Sequence, residues 1–417
     1  MTDIINFDII FIMKRLIKSI DVFSFFIICF LLLFTNCTRN IADNPVETEI
    51  NLEIAEPLDP EQQLKQRVQK ITSSLDDNLL TAQVIISGID GSGTVPAYMR
   101  SIFKNSPVGG VMLFGYNLTT EDDETRAFLK EIVSLLTELS GVPPFISVDH
   151  EGGTVNRFKS GTGSLPSAES YMNIFLTEGQ EAAVSKVKED SFKAGTEIKN
   201  IGINMNLAPV AEPLIDENRI FMQRRSYGPD INFTALAANA FTEGMKQAGV
   251  LCVIKHFPIS AGDDPHYSAA ITNKKKSELD NLIYPFSVLI KNGARAVMIS
   301  HTKIPSIDSE ISSFSSVVMN TWLRGELGFD GIIIGDDFTM ESVQQYAEKI
   351  KPEDAAVRSV AAGADAVLVW PPDIRRTHAA FLTALKNGSL SRERLLEAVQ
   401  RIIYEKLLLE MTNNDEQ

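Results

Sequence analysis

The sequence predicts a parallel α/β fold: one (β/α)8 barrel of the TIM type, preceded by a signal or anchor segment and a flexible tether. Three observations predict it. Eight short apolar runs rich in Val and Ile recur through the chain. Amphipathic segments of helical period separate them, so the strands are joined by crossovers and lie parallel. The stretch Gly88-Ile89-Asp90-Gly91-Ser92-Gly93 after the first run lacks the spacing of a dinucleotide-binding turn, which removes the main support for a doubly wound open sheet.

The first 37 residues differ from the rest. Met13-Lys14-Arg15 and Lys18 form a basic start, and residues 22–34 are almost wholly apolar. That run is short for a spanning helix and suits a signal-peptide core. It ends at Thr35-Asn36-Cys37, which resembles the lipobox of bacterial lipoproteins, with Phe34 in place of the usual Leu and Asn36 in place of a small residue. The expectation is a signal over residues 1–37, effectively starting at Met13, with Cys37 as the lipidated first mature residue. The protein would then be exported and held to a membrane; an uncleaved anchor helix is the plainer alternative. Residues 38–60 are rich in Asp, Glu, Asn and Pro, lack periodicity and read as a tether.

Cysteine usage fits export without disulfides. Cys29 falls in the signal and Cys37 carries lipid, leaving Cys252 inside an apolar run as a small buried hydrophobe. The net charge of −15 argues against nucleic acid as a partner, because phosphate binding needs clustered Lys and Arg.

Residues 61–417 carry the barrel pattern. Strands are expected at 82–86, 110–114, 144–148, 204–208, 250–254, 296–299, 331–334 and 366–369. Helices are expected at 120–139, 178–200, 233–248, 276–292, 317–328, 352–363, 377–386 and 391–409. In such a barrel the functional residues follow the C-terminal ends of the strands. The polar clusters fall there: Asn117 after the second strand, then Asp149-His150-Glu151 with Gly152-Gly153 and Arg157 after the third. Arg224-Arg225 lies beyond the fourth, Lys255-His256 and a loop reaching Asp264-Pro265-His266 follow the fifth, His301 the sixth, and Asp336-Asp337 the seventh.

A carboxylate at a barrel mouth can act as a nucleophile, a base, a metal ligand or a hydroxyl binder, or it can merely cap a turn. Two adjacent Asp allow one of each kind, since alternation sends only one toward the axis. Asp264 two residues from His266 can hold the imidazole in one tautomer and make it an acid/base near neutral pH. Arg157, Arg225 and Lys255 can grip hydroxyls or a carbonyl, or simply form rim ion pairs. A metal on His256, Asp264, His266 and Asp336 is the competing reading; Lys255 beside it and the lack of an HExxH or CxxC pattern argue against one, so no metal or cofactor is expected.

These residues, in this order, resemble family 3 of the glycoside hydrolases: Asp149-His-Glu-Gly-Gly with Arg157, Asn206-Leu-Ala-Pro-Val210, Arg225-Ser-Tyr-Gly228, Lys255-His-Phe-Pro258, Asp264-x-His266 and Gly335-Asp-Asp337. Within the family they look most like single-domain bacterial β-N-acetylglucosaminidases of the NagZ type. The resemblance implies a (β/α)8 barrel and metal-free, retaining hydrolysis of a terminal β-linked N-acetylhexosamine from peptidoglycan- or chitin-type glycans. It makes Asp336 the nucleophile and His266, held by Asp264, the acid/base. It makes Asp149, Arg157, Arg225, Lys255 and His256 the binders of the first sugar. The chain departs from the family pattern at Ile259-Ser260-Ala261, where Gly-His-Gly is usual and the loop is about two residues longer, and at Pro265, His150 and Thr154. Two other readings use the same barrel: a β-glucosidase or phosphate-dependent phosphorylase, and a non-catalytic sugar-binding lipoprotein.

Overall fold

The apolar runs close into a ring. The computed structural model describes residues 59–262, 264–346 and 350–414; the signal segment, Cys37 and residues 38–58 of the tether lie outside these. The strands are β1 Ile85–Gly88, β2 Gly110–Leu113, β3 Phe145–Val148, β4 Met205–Asn206, β5 Leu251–Phe257, β6 Ala296–Ile299, β7 Ile332–Gly335 and β8 Ala366–Val369. Each pairs in parallel with its sequence neighbours, and β1 closes on β8 through Ile85 opposite Val367. Every strand residue is buried. That is why most of the runs read as apolar stretches with Val and Ile rather than as an alternation: packed side chains fill the inside and helices cover the outside.

Five differences from expectation have a local reason. The tether stops short of residue 60, because Asp59 caps a helix over Pro60–Ser74 and Pro60 occupies its first turn, where a missing N–H costs nothing. The first strand is displaced from 82–86. Asp76 accepts the Leu79 N–H at 2.9 Å and caps a short helix over Asp77–Gln83, so pairing begins only at Ile85. β4 keeps two of the five expected residues; Pro209 interrupts the ladder, and pairing resumes where Val210 meets Lys255. β5 does not end at Ile254 but runs on to Phe257, so Lys255 and His256 belong to the strand. The helix expected over 276–292 is two, Lys276–Leu282 and Tyr284–Lys291, split ahead of Pro285.

Cys252 is buried and unpaired, and burial pushes its thiol pKa upward. Among the described residues no helix is long and apolar enough to cross a membrane.

The helix Arg392–Asn414 carries a cation into the base of the barrel. Lys406 is buried, donates to Gln83 Oε1 and to the Gly109 carbonyl at 2.7 Å each, and lies over the Phe145 ring. It has no ion pair among the described residues, and burial pulls its pKa down to about 7. The neutral amine still satisfies both acceptors. The unfolded chain therefore binds more protons than the folded one between about pH 7 and the ordinary lysine value near 10.5, so stability rises with pH across that window. Lys406→Met removes this term. The stability of wild type relative to Lys406→Met should fall by roughly 1.4 kcal/mol per pH unit as pH drops from about 10 to 7. Denaturant unfolding at several pH values checks it, and a pH-independent difference contradicts it.

Candidate active site

A cavity of about 380 Å³ opens where the strands end, and Asp149, Arg157, Arg225, Lys255, His256, Asp264, His266 and Asp336 all line it. Residues from β3, β5, β7 and the loops after them thus converge on one space, as a barrel requires.

One wall is an ion network. The Lys255 ammonium donates to Asp149 Oδ1 at 2.6 Å and lies 2.6 Å from Glu151 Oε1. Arg225 grips Glu151 with Nε and Nη2 at 2.8 and 2.9 Å, and Arg157 holds the other Asp149 oxygen at 2.9 Å. Burial alone would drive the Glu151 carboxyl upward; Lys255 and Arg225 overturn that and hold it far below the usual carboxylate range. Burial likewise works against the Lys255 charge, and Asp149 and Glu151 together raise its pKa instead. Three cations meet two carboxylates, so the wall keeps donors for a hydroxyl-rich ligand. Arg157 Nε is buried with no hydrogen-bond partner of its own among the described residues.

Two residues adjacent in sequence serve this cavity because the register of β5 against β6 shifts between Ile254 and Phe257. Lys255 joins the network, while the His256 ring turns to Glu212. Glu212 is fully buried. Its Oε1 accepts from His256 Nδ1 at 2.7 Å, from the His256 N–H at 3.1 Å and from Ser260 Oγ at 3.0 Å, and its Oε2 accepts the Ser260 N–H. With Nδ1 committed, His256 offers Nε2 to the cavity. The same carboxylate pins the start of the 259–266 loop.

That loop delivers the imidazole–carboxylate pair. His266 Nδ1 meets Asp264 Oδ1 at 2.6 Å, and the His266 N–H reaches the same oxygen at 3.0 Å. The His266 side chain remains 49% exposed, so its Nε2 is open to a ligand. The Pro265 carbonyl accepts the Ser342 N–H at 3.0 Å, which links this loop to the segment after β7.

The two aspartates at the end of β7 divide as alternation suggests. Asp337 is consumed: Oδ1 accepts from the Thr339 N–H and hydroxyl at 2.8 and 2.7 Å, and Oδ2 accepts Trp370 Nε1 at 2.6 Å. Asp336 accepts only the Asp337 N–H, on Oδ1, so Oδ2 has no partner among the described residues. His301 bonds Ser313 Oγ at 2.8 Å and the Asp337 carbonyl at 3.1 Å; burial lowers its pKa, so it is a neutral support for this turn.

Several sequence candidates turn out to be framework. Asn117 is buried and ties Phe114, Ile89 and Gly91 together through their backbones. Arg224 pairs with exposed Glu169 at 2.7 Å. Gly152 and Gly153 have φ of 89° and 56°, and a Cβ on Gly153 would sit 2.6 Å from that of Ser167. Their turn packs against residues 165–167 rather than against a ligand. Glu212 and Trp370 are the residues that sequence reasoning missed. Glu212 stands in an unremarkable run, and only the later β4–β5 pairing reveals it; Trp370 directly follows the last strand, a position that could have flagged it.

The fold and cavity define a (β/α)8-barrel enzyme whose carboxylate, imidazole–carboxylate pair and donor-rich wall face one space. Residues 76–404 match the glycosyl hydrolase family 3 N terminal domain, and the chain belongs to that family. A β-hexosaminidase of Hydrogenovibrio crunogenus is 30% identical over 310 residues, covering 73% of this chain and 84% of that protein. The β-N-acetylglucosaminidase structure from a Paenibacillus species superposes with a TM-score of 0.74 at 28% identity, covering 81% of this chain. This chain spans 64% of the length of that Paenibacillus protein. NagZ from Neisseria gonorrhoeae, in complex with N-trifluoroacetyl-D-glucosamine, gives 0.65 at 26% identity, covering 77% of this chain and 89% of its own.

Proposed function

We propose that this chain is a retaining exo-glycosidase that removes terminal β-linked N-acetylglucosamine from peptidoglycan- or chitin-type glycans. The observation that carries the reading is the pairing, around one cavity, of an Asp336 carboxylate with an open oxygen and a His266 imidazole with an open Nε2. Relatives named β-hexosaminidase and the N-acetylglucosaminidase structures support the sugar.

The steps follow from the geometry. Asp149, Arg157, Arg225, Lys255 and His256 hold the hydroxyls and amide of the first sugar. Asp336 Oδ2 attacks the anomeric carbon as the glycosidic C–O bond breaks, and the leaving oxygen takes the proton from His266 Nε2. Asp264 holds Nδ1–H and stabilises the imidazolium before transfer. Nε2 then takes a proton from water, which attacks the anomeric carbon and frees Asp336, so the β configuration is kept. Asp337 remains a hydrogen-bonded brace.

A second reading, phosphorolysis, draws on the three cations of the donor wall and on an acid/base that, being a histidine, does not repel an anionic nucleophile. With p-nitrophenyl β-N-acetylglucosaminide, Asp336→Ala should lose at least about a thousandfold in kcat, and His266→Ala about a hundredfold or more. Inorganic phosphate should leave the rate and the product unchanged. Turnover by Asp336→Ala at the wild-type rate sinks the mechanism, and sugar 1-phosphate as product assigns phosphorolysis instead.

The same proposal places the enzyme outside the cytoplasm, exported through residues 1–37 and held to a membrane by lipid on Cys37. Its support is the basic start, the apolar run and the Cys that follows it. Cys37→Ala should move the protein from the membrane fraction to the soluble one; an unchanged membrane fraction contradicts lipid anchoring.

A further inference from the structure

The side of the mouth that carries His266 is apolar in a way the hydrolytic steps do not use. Ile220 is 63% exposed and Tyr267 80% exposed. Phe221, His266 and Tyr267 form a row of rings, with centroids 6.1 and 6.3 Å apart and planes tilted by 55° and 52°. Arg225 braces Phe221, its guanidinium carbon 4.6 Å from the ring centre. Ile220 and Phe221 line the cavity, whereas Tyr267 lies outside its lining, next to His266. Exposed apolar residues scattered singly need no explanation. These flank the one group proposed to protonate the leaving oxygen, so the leaving group must lie against them.

Charge narrows what that group can be. The cations on the neighbouring segments are already committed: Arg219 to Asp216 at 3.1 Å, Arg224 to Glu169 at 2.7 Å, Lys274 to Glu217 at 3.2 Å, and Arg225 beside Phe221 to both Glu151 oxygens at 2.8 and 2.9 Å. Asp264 adds a further carboxylate beside His266. A leaving sugar bearing a carboxylate would meet repulsion here with no open cation among these residues to offset it. A neutral pyranose offers its C–H face to a tyrosine ring, which supplies large apolar contact at small entropic cost.

We propose that Ile220, Phe221 and Tyr267 form the leaving-group subsite and select uncharged β-linked N-acetylglucosamine oligosaccharides over glycans whose leaving sugar is acidic. The inference rests on the function proposed above. It predicts that the enzyme acts on chitin-type fragments in preference to peptidoglycan-type ones, and that Tyr267 contributes through a sugar beyond the first.

The test compares three substrates on wild type, Tyr267→Ala and Tyr267→Phe. They are tri-N-acetylchitotriose, N-acetylglucosaminyl-β-1,4-N-acetylmuramic acid, and N-acetylglucosaminyl β-azide. The azide has a leaving group too small to reach the ring and needs no proton. Wild type should cleave the chitotriose with a kcat/KM at least about tenfold above that for the acidic disaccharide. Tyr267→Ala should lose about tenfold on the chitotriose and less than about twofold on the azide, while Tyr267→Phe keeps the wild-type values. An equal loss on chitotriose and azide, or a preference for the acidic disaccharide, overturns the subsite. No turnover of any of the three by wild type overturns the proposed function itself, and the subsite with it.

Discussion

The site depends on a buried lysine. Lys255 is 3% exposed at the end of a barrel strand, and its ammonium bridges Asp149 and Glu151, both carried by the segment after β3. Removing that charge from water is expensive, and only close, well-formed pairs compensate. The compensation makes the arrangement all-or-none. Loss of one carboxylate leaves the buried Lys255 with a single partner, and loss of the lysine leaves Asp149 to Arg157 and Glu151 to Arg225, at costs of up to about 3–5 kcal/mol for a broken buried pair. The sugar recognition proposed for this wall and the tie between the segment after β3 and β5 thus rest on the same contacts.

A second buried carboxylate does for the start of the 259–266 loop what Lys255 does for the ends of β3 and β5. Glu212 has no direct ion pair with a lysine or arginine among the described residues, yet it is satisfied by four donors from His256 and Ser260. It sets the His256 tautomer and fixes the root of the loop that ends in Asp264 and His266. The departure from the family pattern at Ile259-Ser260-Ala261 then has a physical sense. Ser260 supplies two of the four donors, and Ser300 Oγ donates to the Ile259 carbonyl at 2.9 Å. The loop is anchored at its start, while the His266 side chain it carries stays half exposed.

Much of this is legible in the chain. Seven runs with Val or Ile place seven of the strands, because strands buried on both faces leave an apolar trace, and the fourth, Met205–Asn206, stands in a run that has neither. The eight residues assigned to catalysis and sugar binding all reach one cavity, because a barrel delivers the segments after its strands to a single face. The features that fail to show are set by partners distant in sequence. Glu212 matters through a residue 44 positions away, and Trp370 through one 33 positions away. Asn117 and the Gly152-Gly153 turn look like ligand contacts in the sequence, but their positions are settled by neighbouring backbone. The ends of β1 and β5 escape a reading of apolar runs because Ser87, Gly88, Lys255 and His256 carry no apolar signal, although the first three pair in the barrel and His256 lies within β5.

The central claim is that Asp336, and not its hydrogen-bonded neighbour Asp337, forms the bond to the sugar. Incubation with a 5-fluoro β-N-acetylglucosaminyl fluoride, followed by proteolysis and peptide mass spectrometry, tests it directly. One added fluorosugar per chain on the peptide bearing Asp336, localised to that side chain by fragmentation and absent in Asp336→Ala, is the predicted result. A label on Asp337, or turnover that releases the α anomer first with no label on any residue, would contradict it.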